Sequence, residues 1–229
     1  MGDTPGYRSN QSNSATSGAA TTPLYKQPAA LVVAIIAVVG VIAGISTLAS
    51  DDTSINGTTT ETAFAEALGG PLPPFSDPLL DPAVGAASPV ITASTIDGER
   101  VQYLHDDGQP RLFAFFAHWC PVCQAELPEV VEWLEADPLP EGMEIVAIST
   151  AVDAGRDNYP PSAWFEAEGW ENVVLVDSDA SIIAQNFGLT GFPYWVAVEA
   201  DGNVAQRVGG AIDQATFLEL IETTAGATQ

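Results

Sequence analysis

Cysteine is nearly absent from this chain of 229 residues, occurring at positions 120 and 123 and nowhere else. A disulfide framework of the kind that staples small secreted domains is therefore excluded. A zinc site would need two further ligands, and histidine offers only His105 and His118. Cations are almost as scarce. Six lysines and arginines face 30 carboxylates, for a net charge of −24, and Lys26 is the single lysine. Beyond residue 50 only Arg100, Arg111, Arg156 and Arg207 oppose every acidic residue except Asp3. A surface of that sign repels nucleic acid and anionic headgroups, so nucleic-acid binding is excluded. Two readings of the acidity stand: attraction of basic protein partners, which salt would screen, and general adaptation to a saline setting.

Residues 1–28 have few large apolar side chains and read as a disordered tail. Charge is then missing altogether from Ala29 to Ala49. As a helix at ~1.5 Å per residue this run is about 31 Å long, the thickness of a bilayer's hydrocarbon core. Arg8 and Lys26 precede it, and Asp51 and Asp52 follow. The positive-inside rule then makes this a single-pass span of the cytoplasmic membrane, with the N-terminus inside and the remainder outside. The competing reading is a cleaved leader, for which Thr47-Leu48-Ala49 is a poor processing site. Residues 50–87 contain Pro71, Pro73, Pro74, Asp77-Pro78 and Asp81-Pro82, and read as a flexible acidic linker to a domain over 88–229.

Within that domain the pattern alternates. Val90–Ser94 and Val101–Leu104 flank Asp97-Gly98 as a β-hairpin. Continuous apolar runs predict buried strands at Leu112–Ala117, Met143–Thr150 and Val173–Val176. Helices are expected over Pro121–Ala136, Pro161–Glu168 and Ala180–Phe187, the last capped near Asp179 and closed by Gly188. Tyr194–Val198 and Val204–Val208 form a second hairpin, and Asp213 caps a final helix. Strands alternating with helices give a three-layer α/β domain.

The two cysteines sit where the first buried strand gives way to the first helix. Residues i and i+3 at a helix start lie about 5 Å apart at Cα, within the range a disulfide accepts. Pro121 fits the first helical position, which makes Cys120 the cap, facing unpaired backbone donors that favour a thiolate. Cys123, one turn further in, is the more shielded thiol. A loop this short removes little chain entropy, so a stapling disulfide is a poor explanation. A copper site built from both thiolates and His118 stays open.

The stretch from Phe115 through Trp119, Cys120, Pro121, Val122, Cys123 and Glu126 to Pro128 resembles the active-site region of the thioredoxin superfamily. More narrowly it is similar to the TlpA/ResA type of membrane-anchored thiol-disulfide oxidoreductase. Val174–Asp179 and Asn186–Pro193 agree with that pattern. The resemblance implies a thioredoxin-like fold with a central mixed sheet and an N-terminal β-hairpin extension. It implies catalytic Cys120 and Cys123, and a cis-proline at Pro193 whose neighbour Phe192 pairs with an incoming peptide. Phe192, Tyr194 and Trp119 would supply an apolar rim, against the alternative that they are core aromatics, with Pro121 supporting the site between the cysteines. Thioredoxins proper carry a buried aspartate where this chain has Ala114, so Glu126, one turn beyond Cys123, is the expected acid/base, against the alternative of a solvated carboxylate. Pro128 is expected to kink the helix, as the family's own proline does. His118 either tunes the thiolate by its charge or is a plain surface histidine.

The expected activity is thiol–disulfide exchange, in the reducing direction, with no cofactor and no metal. Expected partners are exported cysteine-containing proteins (apocytochrome c among them), a membrane electron donor, and the bilayer through residues 29–49. The alternatives are a peroxiredoxin-like thiol peroxidase, although no threonine shortly precedes Cys120, and a copper-delivery module.

Overall fold

In the computed structural model, which describes residues 64–226, eight strands make one mixed sheet. They are β1 (Ala65–Leu68), β2 (Val90–Thr95), β3 (Arg100–Tyr103), β4 (Arg111–Phe116), β5 (Glu144–Ser149), β6 (Val173–Val176), β7 (Tyr194–Val198) and β8 (Val204–Gly209). The helices are α1 (Pro121–Ala136), α2 (Pro161–Ala167), α3 (Ile182–Asn186) and α4 (Gln214–Thr224). The order across the sheet is β1-β2-β6-β5-β4-β7-β8, with β3 on the other edge of β2. Among the described residues no helix is long and apolar enough to cross a membrane. The run 29–49, the tail 1–28 and residues 50–63 lie outside the described residues.

Every residue of β4 is buried, because helices or chain cover both faces of the sheet centre. Alternation along the strands divides the core. Leu112, Ala114 and Phe116 point toward α1, α2 and α4, while Phe113 and Phe115 point toward α3. β4 runs parallel to β5 and antiparallel to β7, pairing both along almost its whole length. In α1 the buried positions are Cys123, Glu126, Leu127 and Val130, an i, i+3, i+4, i+7 stripe facing the sheet. The helix continues through Pro128. Asp213 caps α4 by accepting from the Thr216 N–H at 2.9 Å.

Two expectations need correction. The third helix is shorter than expected, and Asp179 does not cap it. Its free N–H groups at Ile183 and Ala184 go to the Asp177 carboxylate at 2.9 and 3.0 Å, and the Ser178 hydroxyl accepts from Ile182. Asp177 reaches them because it leaves β6 buried, also accepting the Thr150 hydroxyl at 2.8 Å. Burial pushes its carboxyl above the usual range despite those donors.

The second correction concerns the linker. Residues 64–87 are part of the fold. β1 pairs with β2, Leu72 and Ala83 are buried, and the chain between them crosses the α3 face. Prolines are compatible with this because Pro71–Pro74 lie outside regular structure, Pro78 opens a short 3-10 turn over Pro78–Leu80, and the segment is anchored from outside. The Leu72 and Phe75 N–H groups donate to the Asn186 and Gly188 carbonyls, both at 2.8 Å. Arg207 donates to the Pro73 carbonyl at 2.9 Å and to Phe187 at 3.1 Å, and its Nε donates to Asp81 at 2.7 Å. Its Nη2 holds the other Asp81 oxygen, and both side chains are buried. Gly188 is required here. Its φ is +73°, and a Cβ would stand 2.4 Å from the Pro73 carbonyl oxygen.

Burial alone would raise the Asp81 carboxyl, but the Arg207 hydrogen bonds hold it below its ordinary value. The contribution to stability is thus full at neutral pH and is lost as pH falls below about 4, through the depressed folded value. Removing one partner strands the other as a buried charge. Asp81→Asn should lower unfolding free energy by about 3 kcal/mol, with Arg207→Met on that background recovering part of the loss. Urea unfolding of the three proteins measures this. A change below about 0.5 kcal/mol in Asp81→Asn would mean the segment does not anchor the domain.

Candidate active site

Strand β4 ends at Phe116, and after four intervening residues the chain starts α1 at Pro121. Cys120 is the cap, in extended conformation at φ −77° and ψ 118°, with Pro121 at the first helical position. The Cys120 N–H donates to Ala117 at 2.9 Å, which tightens the turn, and its carbonyl accepts from Gln124 at 3.0 Å. No side chain caps the first turn. Backbone N–H groups and the positive end of the helix therefore face the Cys120 sulfur. Both thiols are free. Cys120 retains 8% exposure and Cys123 none. Burial pushes the Cys123 thiol well up, reinforced by the neighbouring Cys120 sulfur and by Glu126.

Glu126 is 3% exposed, which excludes a solvated carboxylate. Oε1 accepts from the Trp195 indole at 2.9 Å and Oε2 from the Ile212 N–H at 3.0 Å. Burial raises its pKa to about 7, with the charge of Glu129 adding and the two donors opposing. A carboxyl that gains and loses a proton near neutrality thus lies one turn beyond the inner thiol. Trp195 and Ile212 were not legible as its partners, because they lie 69 and 86 residues away in sequence.

The loop after β5, residues 150–160, closes over the other side. The Trp119 indole donates to Ala151 at 2.7 Å. His118 is buried, against the expectation of a surface side chain. Its Nδ1 bonds the Asp157 carbonyl at 2.7 Å, and Nε2 accepts from the Asp153 N–H at 3.2 Å. Through those two contacts His118 pins the loop. With both ring nitrogens engaged it is also no third ligand for a copper ion. Gln124 fixes the same turn by donating to the His118 carbonyl at 2.8 Å.

The loop before β7 completes the mouth. The Phe192–Pro193 bond is cis, and the Pro193 carbonyl accepts from Gly210 at 2.8 Å. Phe192, half-buried, meets the Trp119 ring edge-on at 6.0 Å. Pro121 and Val122 are exposed beside them. Tyr194 does not join this rim. It is fully buried on the opposite face, its hydroxyl donating to Phe187 at 2.9 Å, because strand alternation turns it away from Trp195. The structure therefore gathers Trp119, Cys120, Pro121, Cys123, Glu126, Phe192 and Pro193 at one end of the sheet.

The Redoxin family profile matches residues 64–217, so the matched region begins where β1 does and includes the segment read as linker. Methylamine utilization protein MauD of Methylobacillus flagellatus is 28% identical over 145 residues, 62% of this chain and 65% of its own length. Thiol-disulfide oxidoreductase ResA of Halalkalibacterium halodurans is 23% identical over 133 residues, 57% of this chain and 72% of its own. The chain thus spans about two thirds of the length of these curated relatives. A solved thiol:disulfide interchange protein of the thioredoxin family from Chlorobium tepidum aligns with a TM-score of 0.51 at 21% identity. That match covers 66% of this chain and 98% of the other, and it bears on the fold. The chain belongs to the Redoxin family and carries its dithiol on a thioredoxin-like fold of the TlpA/ResA type.

Proposed function

We propose that this chain is an extracytoplasmic thiol-disulfide oxidoreductase, tethered through residues 29–49, that reduces disulfides in exported proteins. Apocytochrome c is one such substrate class. The observation that carries the reading is the asymmetry of the pair: Cys120 at the rim, and Cys123 buried beside a carboxyl that titrates near 7. The Cys120 thiolate attacks one sulfur of the substrate disulfide. That S–S bond breaks, one substrate thiolate leaves, and a mixed disulfide forms. Cys123 then gives its proton to the Glu126 carboxylate, and its thiolate attacks Sγ of Cys120. The second substrate thiolate leaves and takes up a proton. The substrate has gained two electrons, and Cys120–Cys123 is left as a disulfide for a membrane electron donor to reduce. Phe192, whose backbone precedes Pro193 at the mouth, offers its N–H and C=O for strand-like pairing with the bound peptide.

Cys123→Ser should accumulate mixed disulfide and Cys120→Ser none, read by non-reducing electrophoresis after incubation with an oxidised peptide. Full exchange activity in both single variants would sink the mechanism.

Glu126 accepts the Cys123 proton only when ionised, that is, above about pH 7. The rate of mixed-disulfide resolution in single turnover should therefore rise with pH through that value. Glu126→Gln should remove the inflection and slow resolution by about 100-fold. An unchanged pH profile in the variant would assign the proton to another group.

A further inference from the structure

Of the four arginines in the described region, Arg111 and Arg207 are buried in carboxylate pairs, and Arg100 sits on β3, with three strands between it and β4. Arg156 remains, exposed, at the mouth of the dithiol. Its guanidinium lies over the Trp119 ring, 4.6 Å from the centroid, and Trp119 immediately precedes Cys120. Among the described residues the ion pairs are made by Arg111 and Arg207, and none by Arg156. The carboxylates of its own loop make no ion pair with it. Asp153 accepts from the Gly155 N–H at 2.9 Å, and Asp157 forms no ion pair with it. Arg100 likewise makes no ion pair and lies over the Phe64 ring, so what sets Arg156 apart is its place beside Trp119.

The loop beneath it is held. His118 binds it at Asp153 and Asp157, on either side of Arg156, and Trp119 binds it at Ala151. The stacked, exposed fork is thus presented from a held loop beside Trp119, the residue before Cys120. Such a fork matches a carboxylate in a bidentate fashion.

We propose that Arg156 is a specificity-determining residue that binds a carboxylate flanking the substrate's cysteine, so that the preferred substrate carries Asp or Glu next to its disulfide. This rests on the exchange activity proposed above. It assigns Arg156 to the substrate and not to the reacting sulfurs.

The test uses two disulfide peptides that differ only in Glu or Gln beside the cysteine. The readout is the Glu-over-Gln ratio of kcat/KM at low salt, for the full-length protein and for Arg156→Gln, Arg156→Lys and Arg156→Glu. The ratio should fall about three- to ten-fold in Arg156→Gln, fall less in Arg156→Lys, and drop furthest in Arg156→Glu. In the unsubstituted protein it should shrink as salt rises. Equal slowing of both peptides in Arg156→Gln would mean that the arginine only props Trp119 or tunes the thiol, and would overturn the proposal. So would an unchanged ratio. The same ratio for dithiodiglycolate over bis(2-hydroxyethyl) disulfide separates the sources. A fall there as large as with the peptides would assign the carboxylate to a small acidic disulfide and overturn the peptide reading. If the unsubstituted protein exchanged neither peptide, the exchange activity itself would fail, an outcome distinct from exchange without charge discrimination.

Discussion

Register between β4 and its two neighbours is the constraint on which the site depends. β4 ends at Phe116, opposite Ser149 of β5, and its Ala114 lies opposite Trp195 of β7. From those three adjacent strand ends come Cys120, the loop that accepts the Trp119 indole, and the Phe192–Pro193 turn. A slip of one residue in β7 would turn Trp195 to the α3 face and bring Tyr194 to the α1 face. Glu126 would then lose an indole donor and gain an unrelated phenol. Both faces of β4 are buried, so a slip would exchange the side chains that fill the α1 side with those that fill the α3 side and disrupt the packing on each.

What the register protects is a carboxyl in an expensive place. Glu126 is placed where its charge is poorly solvated, and two donors, one indole and one backbone N–H, offset part of that cost. The balance leaves the group close to half-ionised at neutral pH. Fewer donors would keep it protonated and useless as a base; more would keep it ionised and a poor proton donor on the return path. The position where thioredoxins carry their buried aspartate is Ala114, on the strand beneath α1. Moving the acid from the strand to the helix keeps it on the Cys123 side of the sheet while leaving β4 apolar from Leu112 to Phe116.

Most of this arrangement was legible because its signals are local. A proline after Cys120 fixes the helix start, the continuous run before it fixes a central strand, and helical spacing sets Glu126 on the Cys123 face. Features set by distant partners were not legible. Pro71–Pro74 and the two Asp-Pro pairs carry the local signature of a linker. What binds them is Arg207, more than 120 residues away, together with the close approach permitted by Gly188. The third helix shows the same limit on a smaller scale. Asp179 is the nearer capping residue by sequence, but the carboxylate whose position is fixed by strand β6 and by Thr150 is Asp177. His118 was misjudged for a related reason, as its two partners lie 35 and 39 residues on, in a loop without regular structure.

Charge acts on a partner at two ranges, and the two act in opposite senses. All the acidic residues but Asp3, Asp51, Asp52 and Glu61 lie in the described region, against four arginines. Each of those arginines stacks on an aromatic ring: Phe64, Tyr103, Trp119 and Phe75. Two are further consumed inside carboxylate pairs, so the field outside the protein is negative nearly everywhere. At a Debye length of about 8 Å that field disfavours acidic proteins on approach, and more weakly as salt rises. The exposed cation beside Trp119 works within contact distance, where screening is least. A polypeptide of low overall acidity that carries a single carboxylate beside its disulfide satisfies both conditions. A uniformly acidic one fails the first, and a basic one gains nothing from the second.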